Sequence, residues 1–149
     1  MVRSLIAFCI ALAAASALAP GRAAPLGSGE PVATADVRDV RSVISAQLDA
    51  FARDDAARAF SYAAPTIQAM FQTPEQFVAM VRAGYPVVYR AAAATFLVPQ
   101  RVGDDIVQGV HLGDADGGVW LATYRLERQR DGAWRIKGCD VQRASGATV

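Results

Sequence analysis

Few side chains in this 149-residue chain suit proton transfer, nucleophilic attack or metal binding, and their spacing limits what each can do. His111 is the single histidine. As a general base it would need a substrate proton within about 3 Å and a carboxylate to orient the ring. Asp114 and Asp116 are near it only in sequence, and its place just before Gly113 reads as a surface position at a strand end. A zinc site takes three or four ligands at short spacing. One histidine, Cys139 and scattered aspartates do not supply that set, so neither a metal nor another cofactor is expected. Asp54-Asp55 and Asp104-Asp105 fall in breaks between periodic segments, where carboxylates cap helices and close turns. Gly-x-Ser-x-Gly and phosphate-loop patterns are absent.

The aromatic residues offer more. Tyr62, Phe77, Tyr85, Tyr89, Trp120, Tyr124 and Trp134 are spread through both halves of the chain. Filling a core is what such side chains most often do, but a buried tyrosine or tryptophan brings a polar group that needs a partner. Tyr62, Tyr85, Tyr89, Trp120 and Tyr124 are therefore the candidate walls of a ligand pocket, apolar in body with a few oriented hydroxyls. Tyr85, Tyr89 and Tyr124 are expected to face one shared space. Arg82 and Arg90 flank this tyrosine run and read as solvated helix-end residues that could also meet an anion at the mouth.

These residues must be positioned by two kinds of element. Val37, Val40, Ile44, Leu48 and Phe51 recur at three and four residues, predicting a helix over about 35–52 with one apolar stripe. Asp54 or Asp55 should cap a second helix over 56–63, and Pro65 should open a third through about Phe71. Thr73-Pro74-Glu75-Gln76 has the cap residue, the proline and the glutamine of a capping box. That helix is expected to end at Gly84 as a left-handed cap. The period then changes to two. Strands are predicted over 93–98, 106–112, 119–129 and 133–143, separated by Gly103-Asp104-Asp105, the Gly113 to Gly118 stretch and Arg130-Asp131-Gly132. Strict alternation puts Trp120, Ala122, Tyr124 and Leu126 on one face with Trp134, Ile136 and Gly138. It puts Leu121, Thr123, Arg125, Arg135, Lys137 and Cys139 on the other, a mixed face open to solvent or to a homodimer through the sheet. The fold class expected is α+β: N-terminal helices packed on a four-stranded antiparallel meander.

The start of the chain reads as an export signal. Arg3 precedes an apolar run from Leu5 to Leu18, and small residues follow before Pro20-Gly21. The run is shorter than the roughly 20 residues that span a bilayer, so stable membrane insertion is not expected. The resulting division is a signal peptide over 1–19, a Pro/Gly-rich linker over 20–34, one domain over 35–143 and a tail over 144–149. Localisation follows as exported, periplasmic or secreted. The chain has 15 Lys+Arg and 14 Asp+Glu. Removing the signal takes Arg3 alone and leaves 14 of each, so no basic face for nucleic acid is implied. Cys9 leaves with the signal and Cys139 remains, which excludes an intrachain disulfide and suits a small buried residue in the last strand.

Several separated blocks carry a resemblance. They are Gln47-x-x-Ala50-Phe51-x-x-Asp54-Asp55 with Ala59-Phe60, then Pro65-x-Ile67 with Phe71, then Gly84-Tyr85-Pro86-x-Val88-Tyr89-Arg90, and Asp131-Gly132-x-Trp134-Arg135-Ile136-x-Gly138-Cys139. In order and spacing, over about Val40 to Arg143, they resemble the bacterial domain-of-unknown-function family DUF4864. More distantly, helices followed by an antiparallel sheet are similar to the nuclear-transport-factor-two-like, or SnoaL-like, cone. That likeness implies a pocket between helices and sheet, used by different members for isomerisation, hydration or binding, so fold does not fix function. Two readings follow. One is an exported module that binds a small apolar ligand or a partner. The other is a cofactor-free isomerase or hydratase, which would require a carboxylate beside a tyrosine on the dry side. No such carboxylate is evident from the pattern.

Overall fold

The computed structural model describes residues 30–144; the signal peptide and most of the linker and tail expected from the sequence lie outside them. Helix α1 (Thr34–Ala52) buries Val40, Ile44, Ala50 and Phe51 as its apolar period requires, but two polar residues share that face, Asp36 and Gln47. Each is bonded. Asp36 accepts from Arg101 at 3.0 Å and Arg128 at 2.8 Å, and Gln47 donates to the Ala59 carbonyl at 3.1 Å. Gln47 thereby ties α1 to α2 (Ala56–Ser61), whose first turn is capped by Asp55 accepting from Arg58 N–H. Then come α3 (Pro65–Phe71) and α4 (Pro74–Gly84), the latter capped by Thr73 accepting from Gln76 N–H. Gly84 is the last residue of α4 and not a left-handed cap: Tyr85, at φ −136°, takes the cap position. Pro86 restarts the chain in a single turn, α5 (Pro86–Tyr89).

The sheet contains five strands where the sequence suggests four. The expected first strand over 93–98 is present as β1 (Ala93–Phe96), an unexpected short strand β2 (Gln100–Val102) follows it, and both pair antiparallel with β3 (Asp105–Gly113). Leu97-Val98-Pro99 interrupts them, since Pro99 has no N–H for a ladder and biases Val98 away from regular pairing. β4 (Val119–Arg128) and β5 (Trp134–Arg143) complete an antiparallel order β1-β3-β4-β5, with β2 beside β1 on β3. The helices cover the face carrying Ile106, Val110, Leu112, Ala122 and Leu126, all essentially inaccessible.

Register corrects the alternation expected for the last strand. Arg125 pairs with Gly138 but Leu126 pairs with Ile136, so Lys137 is an extra residue in β5. Beyond this bulge the facing reverses. Cys139 lies opposite Tyr124 and Val141 opposite Ala122, which places both against the helices, while Gly138 pairs with Arg125 on the far side. Trp134 and Ile136, ahead of the bulge, face the core as expected. The bulge also leaves Ile136 free to bond outward: its N–H donates to Tyr62 O at 2.9 Å and its carbonyl accepts from Ala64 N–H at 2.8 Å. This short parallel bridge anchors the α2–α3 connection to the sheet.

Three carboxylates are held by partners in ways that set the acid limit of the fold. The Tyr89 hydroxyl, then Arg90, hold Asp54 below the ordinary carboxylate value of 3.8. Asp105 is also lowered: its burial acts upward but is outweighed by hydrogen bonds from Lys137 and Arg125. Asp114 is lowered chiefly by the Trp120 indole N–H. A depressed folded pKa stabilises above the unfolded pKa and loses that contribution as pH falls through the folded one. The melting temperature should therefore be insensitive to these groups near neutrality and fall below about pH 4, with high salt weakening the contribution of the exposed Asp54–Arg90 pair most. A melting temperature that began to fall near pH 6 would point to a different group.

Candidate functional site

A cavity of about 320 Å³ lies between the helices and the sheet. It exists because the helical layer does not meet the sheet evenly. α1 and α4 bring Phe51, Phe77, Met80 and Val81 to one side, and the sheet brings Tyr124, Ile136 and Cys139 to the other. The short helix α3 closes one wall with Ile67, Met70 and Phe71 but buries no residue of its own. The aromatic wall is continuous: Phe77 lies 6.0 Å from Phe51, 5.4 Å from Phe60 and 5.6 Å from Phe71, centroid to centroid. Its size is at the lower end of small-molecule sites.

No lining residue carries a charge. The polar groups are Gln47, Tyr85, Tyr124, Cys139 and exposed backbone. Tyr124 is 1% accessible and its hydroxyl has no hydrogen-bond partner. Burial pushes that hydroxyl well above its usual range, so it stays protonated. The Cys139 thiol is close enough to perturb the phenol, without completing a hydrogen bond in the geometry present. Burial also pushes Cys139 up to about 12, which leaves almost no thiolate at neutral pH and a poor nucleophile.

The five aromatic residues singled out in the sequence separate into two groups. Tyr85 and Tyr124 border the cavity. Tyr62 does not: it is half-buried, and its backbone carbonyl receives Ile136 N–H. Tyr89 is buried but its hydroxyl turns toward the surface, bonding to Asp54 and accepting from Arg82 at 2.6 Å. Arg82 and Arg90 stack over its ring at 4.7 and 4.3 Å, and Arg90 grips Asp54 with two bonds of 2.8 and 2.9 Å. These two arginines are spent on this surface cluster. Trp120 lies at a separate groove with Tyr85, its N–H donated to Asp114 at 2.8 Å and its ring covered by Arg143. His111 pairs with Leu121 on the face away from the helices, and Asp114 is taken up by Trp120, Gly118 and Asp116. Among the described residues, no group of three or more His, Cys, Asp or Glu is arranged to hold a metal ion.

The phenylalanines and methionines of the wall and Cys139 were not among the sequence candidates. Gln47 carried a usable signal: it lies four residues before Phe51 and three after Ile44, on the dry stripe, where a polar residue is unexpected. Cys139 carried none, because the bulge that turns it inward is not encoded by any residue the pattern marks.

The fold has a solved counterpart. The 1.8 Å structure of Aln2 from a Streptomyces species matches with a TM-score of 0.50 at 14% sequence identity, covering 76% of this chain and 94% of Aln2. At that identity the likeness is one of fold, α+β and cone-like, with helices preceding an antiparallel sheet. Among curated proteins, none matches the chain. Among the described residues, no helix is long and apolar enough to cross a membrane. Residues 33–149 match the family described as domain of unknown function DUF4864, and the chain belongs to that family.

Proposed function

We propose that this protein is an exported module that binds a small, neutral, apolar molecule in the cavity between its helices and its sheet. The observation that carries the reading is a half-open space of about 320 Å³ with aromatic and methionine walls and no charged lining residue. Such a wall favours a ligand by burying its apolar surface, and it disfavours an ion, which would be desolvated without a partner. The alternative, an isomerase or hydratase, needs a base within reach of the substrate. The titratable groups of this wall are two phenols and a thiol, and burial raises both Tyr124 and Cys139 away from the ionised form. Export is supported by Arg3, the apolar run and the small residues before Pro20.

Cys139 gives the cavity a reporter. Protein purified from its own compartment should carry one small-molecule adduct in native mass spectrometry. Extracting that adduct with organic solvent and refolding should make Cys139 react faster with iodoacetamide, while both forms react far more slowly than unfolded chain. Identical labelling rates with and without the adduct would show that the molecule is bound elsewhere, and rapid stoichiometric labelling of the native protein would show that the half-buried thiol opens to solvent and not only to the cavity. The same preparation tests export: its N-terminus should fall between Leu18 and Pro25, and a chain still starting at Met1 would argue for a retained anchor.

A further inference from the structure

We infer that the ligand presents a carbonyl-type oxygen to Tyr124, which makes it a neutral aromatic or alicyclic ketone, aldehyde or ester and not a carboxylic acid or a pure hydrocarbon. This rests on the binding reading above. Tyr124 is fixed on the central strand β4, 1% accessible, with Ala122 and Leu126 buried on either side of it in the same face. Its hydroxyl is one of two buried side-chain polar atoms left without a partner among the described residues. The other, the Trp134 indole N–H, belongs to a residue that does not line this cavity. A buried donor without an acceptor is costly, and the cost is recovered when an acceptor arrives.

The surroundings narrow the acceptor. Gln47 donates its amide N–H to Ala59 O, and its side-chain oxygen makes no bond to the Tyr124 hydroxyl. Tyr85 is only half-buried and can be served by solvent. Cys139, across the strand pair from Tyr124, directs its weak S–H toward Asp140 O at 4.0 Å, so the donor left over in this part of the wall is the Tyr124 hydroxyl. An oxygen with lone pairs and no charge fits it. A carboxylate would bring a charge that no arginine or lysine of the lining compensates.

Three naphthalene probes of similar shape test the assignment by calorimetry: 2-acetylnaphthalene, 2-isopropylnaphthalene and 2-naphthoate. The hydrocarbon is the more hydrophobic, so the informative quantity is how the ketone-to-hydrocarbon affinity ratio changes on Tyr124→Phe. That ratio should fall about tenfold, the effect of one hydrogen bond in a dry site, with hydrocarbon affinity unchanged within about twofold. Naphthoate should bind at least about tenfold more weakly than the ketone in the wild type. The variant should melt no lower than the parent, because it loses only an unpartnered hydroxyl. A second reading needs no variant: the infrared carbonyl stretch of bound 2-acetylnaphthalene should lie below its value in hydrocarbon solvent. A ratio unmoved by Tyr124→Phe, or an unshifted carbonyl band, overturns the inference and leaves the binding site standing. Failure of both ketone and hydrocarbon to bind overturns the binding reading itself.

Discussion

Replacing Phe51 with alanine should lower the stability of the fold by about 3 kcal/mol, the low end of the range for losing a buried phenylalanine. Phe51 is 1% accessible and joins α1 to two other elements, with Phe77 of α4 at 6.0 Å and Tyr89 of α5 at 5.8 Å. Two effects compete over the magnitude. The ring has aromatic partners on two sides, which raises the loss. Its remaining side borders the cavity, where it has fewer atoms to give up. The second effect keeps the value near the bottom of the range, and the enlarged space should remain because aromatic neighbours cannot collapse into it. Urea unfolding measures the change through the midpoint at constant slope. A loss below about 1 kcal/mol would mean that the helices close over the gap, and the cavity would then be a soft feature of the fold.

Gln108→Ala should cost nearly as much, about 2–3 kcal/mol, although the residue is polar. Gln108 is wholly buried on β3, and its amide donates to Leu97 O at 2.7 Å and to Gly109 O at 2.8 Å. Arg41 of α1 completes the arrangement by donating to the same Leu97 carbonyl at 3.0 Å and, at 3.4 Å, to the Gln108 side-chain oxygen. Together they hold the break between β1 and β2, where the Leu97 carbonyl accepts from side chains. Two hydrogen bonds of about 1 kcal/mol each and the loss of buried methylene surface give the estimate. Gln108→Leu should cost less, about 1 kcal/mol, since it keeps the volume. Both carbonyls retain another donor: Arg41 for Leu97, and the Leu97 N–H for Gly109. Urea midpoints that rank the leucine variant below the alanine variant would show that the polar network, not the filled volume, holds this region.

What the sequence made legible is local. Thr73-Pro74 predicted the start of α4 because a cap and a first-turn proline act within three residues, and Asp55 predicted α2 for the same reason. The apolar period of α1 and the alternation in β4 were readable because each repeats over several residues. The rest depended on contacts distant in the chain. Asp54, one residue from the cap, adopts φ 56° and is used by Tyr89 and Arg90, 35 and 36 positions away. The direction of the Tyr89 hydroxyl is settled by that cluster, so a side chain expected in a shared pocket serves the surface instead. Lys137 is the clearest case. A single added residue reverses every later side chain in β5, and it follows Ile136, whose N–H and carbonyl bond to the distant Tyr62 to Ala64 connection. Of the candidate site, Tyr85 and Tyr124 were reachable from residue type, while Cys139 required the register.

The interruptions at both borders of the sheet also bear on how the folded protein behaves when crowded with copies of itself. An unpaired strand side is a template on which another chain can add, and long straight ones seed aggregation. On one border the exposed ladder groups belong to strands of four and three residues, separated by Val98-Pro99. On the other, the Ile136 N–H and carbonyl are already occupied, and the Lys137 bulge bends the line beside them. Neither border presents an unbroken row of free donors and acceptors along its whole length, so copy-to-copy growth by strand addition must first undo a proline break or an internal bridge. The bulge that turns Cys139 toward the cavity therefore also makes the last strand a poor seed for fibrils.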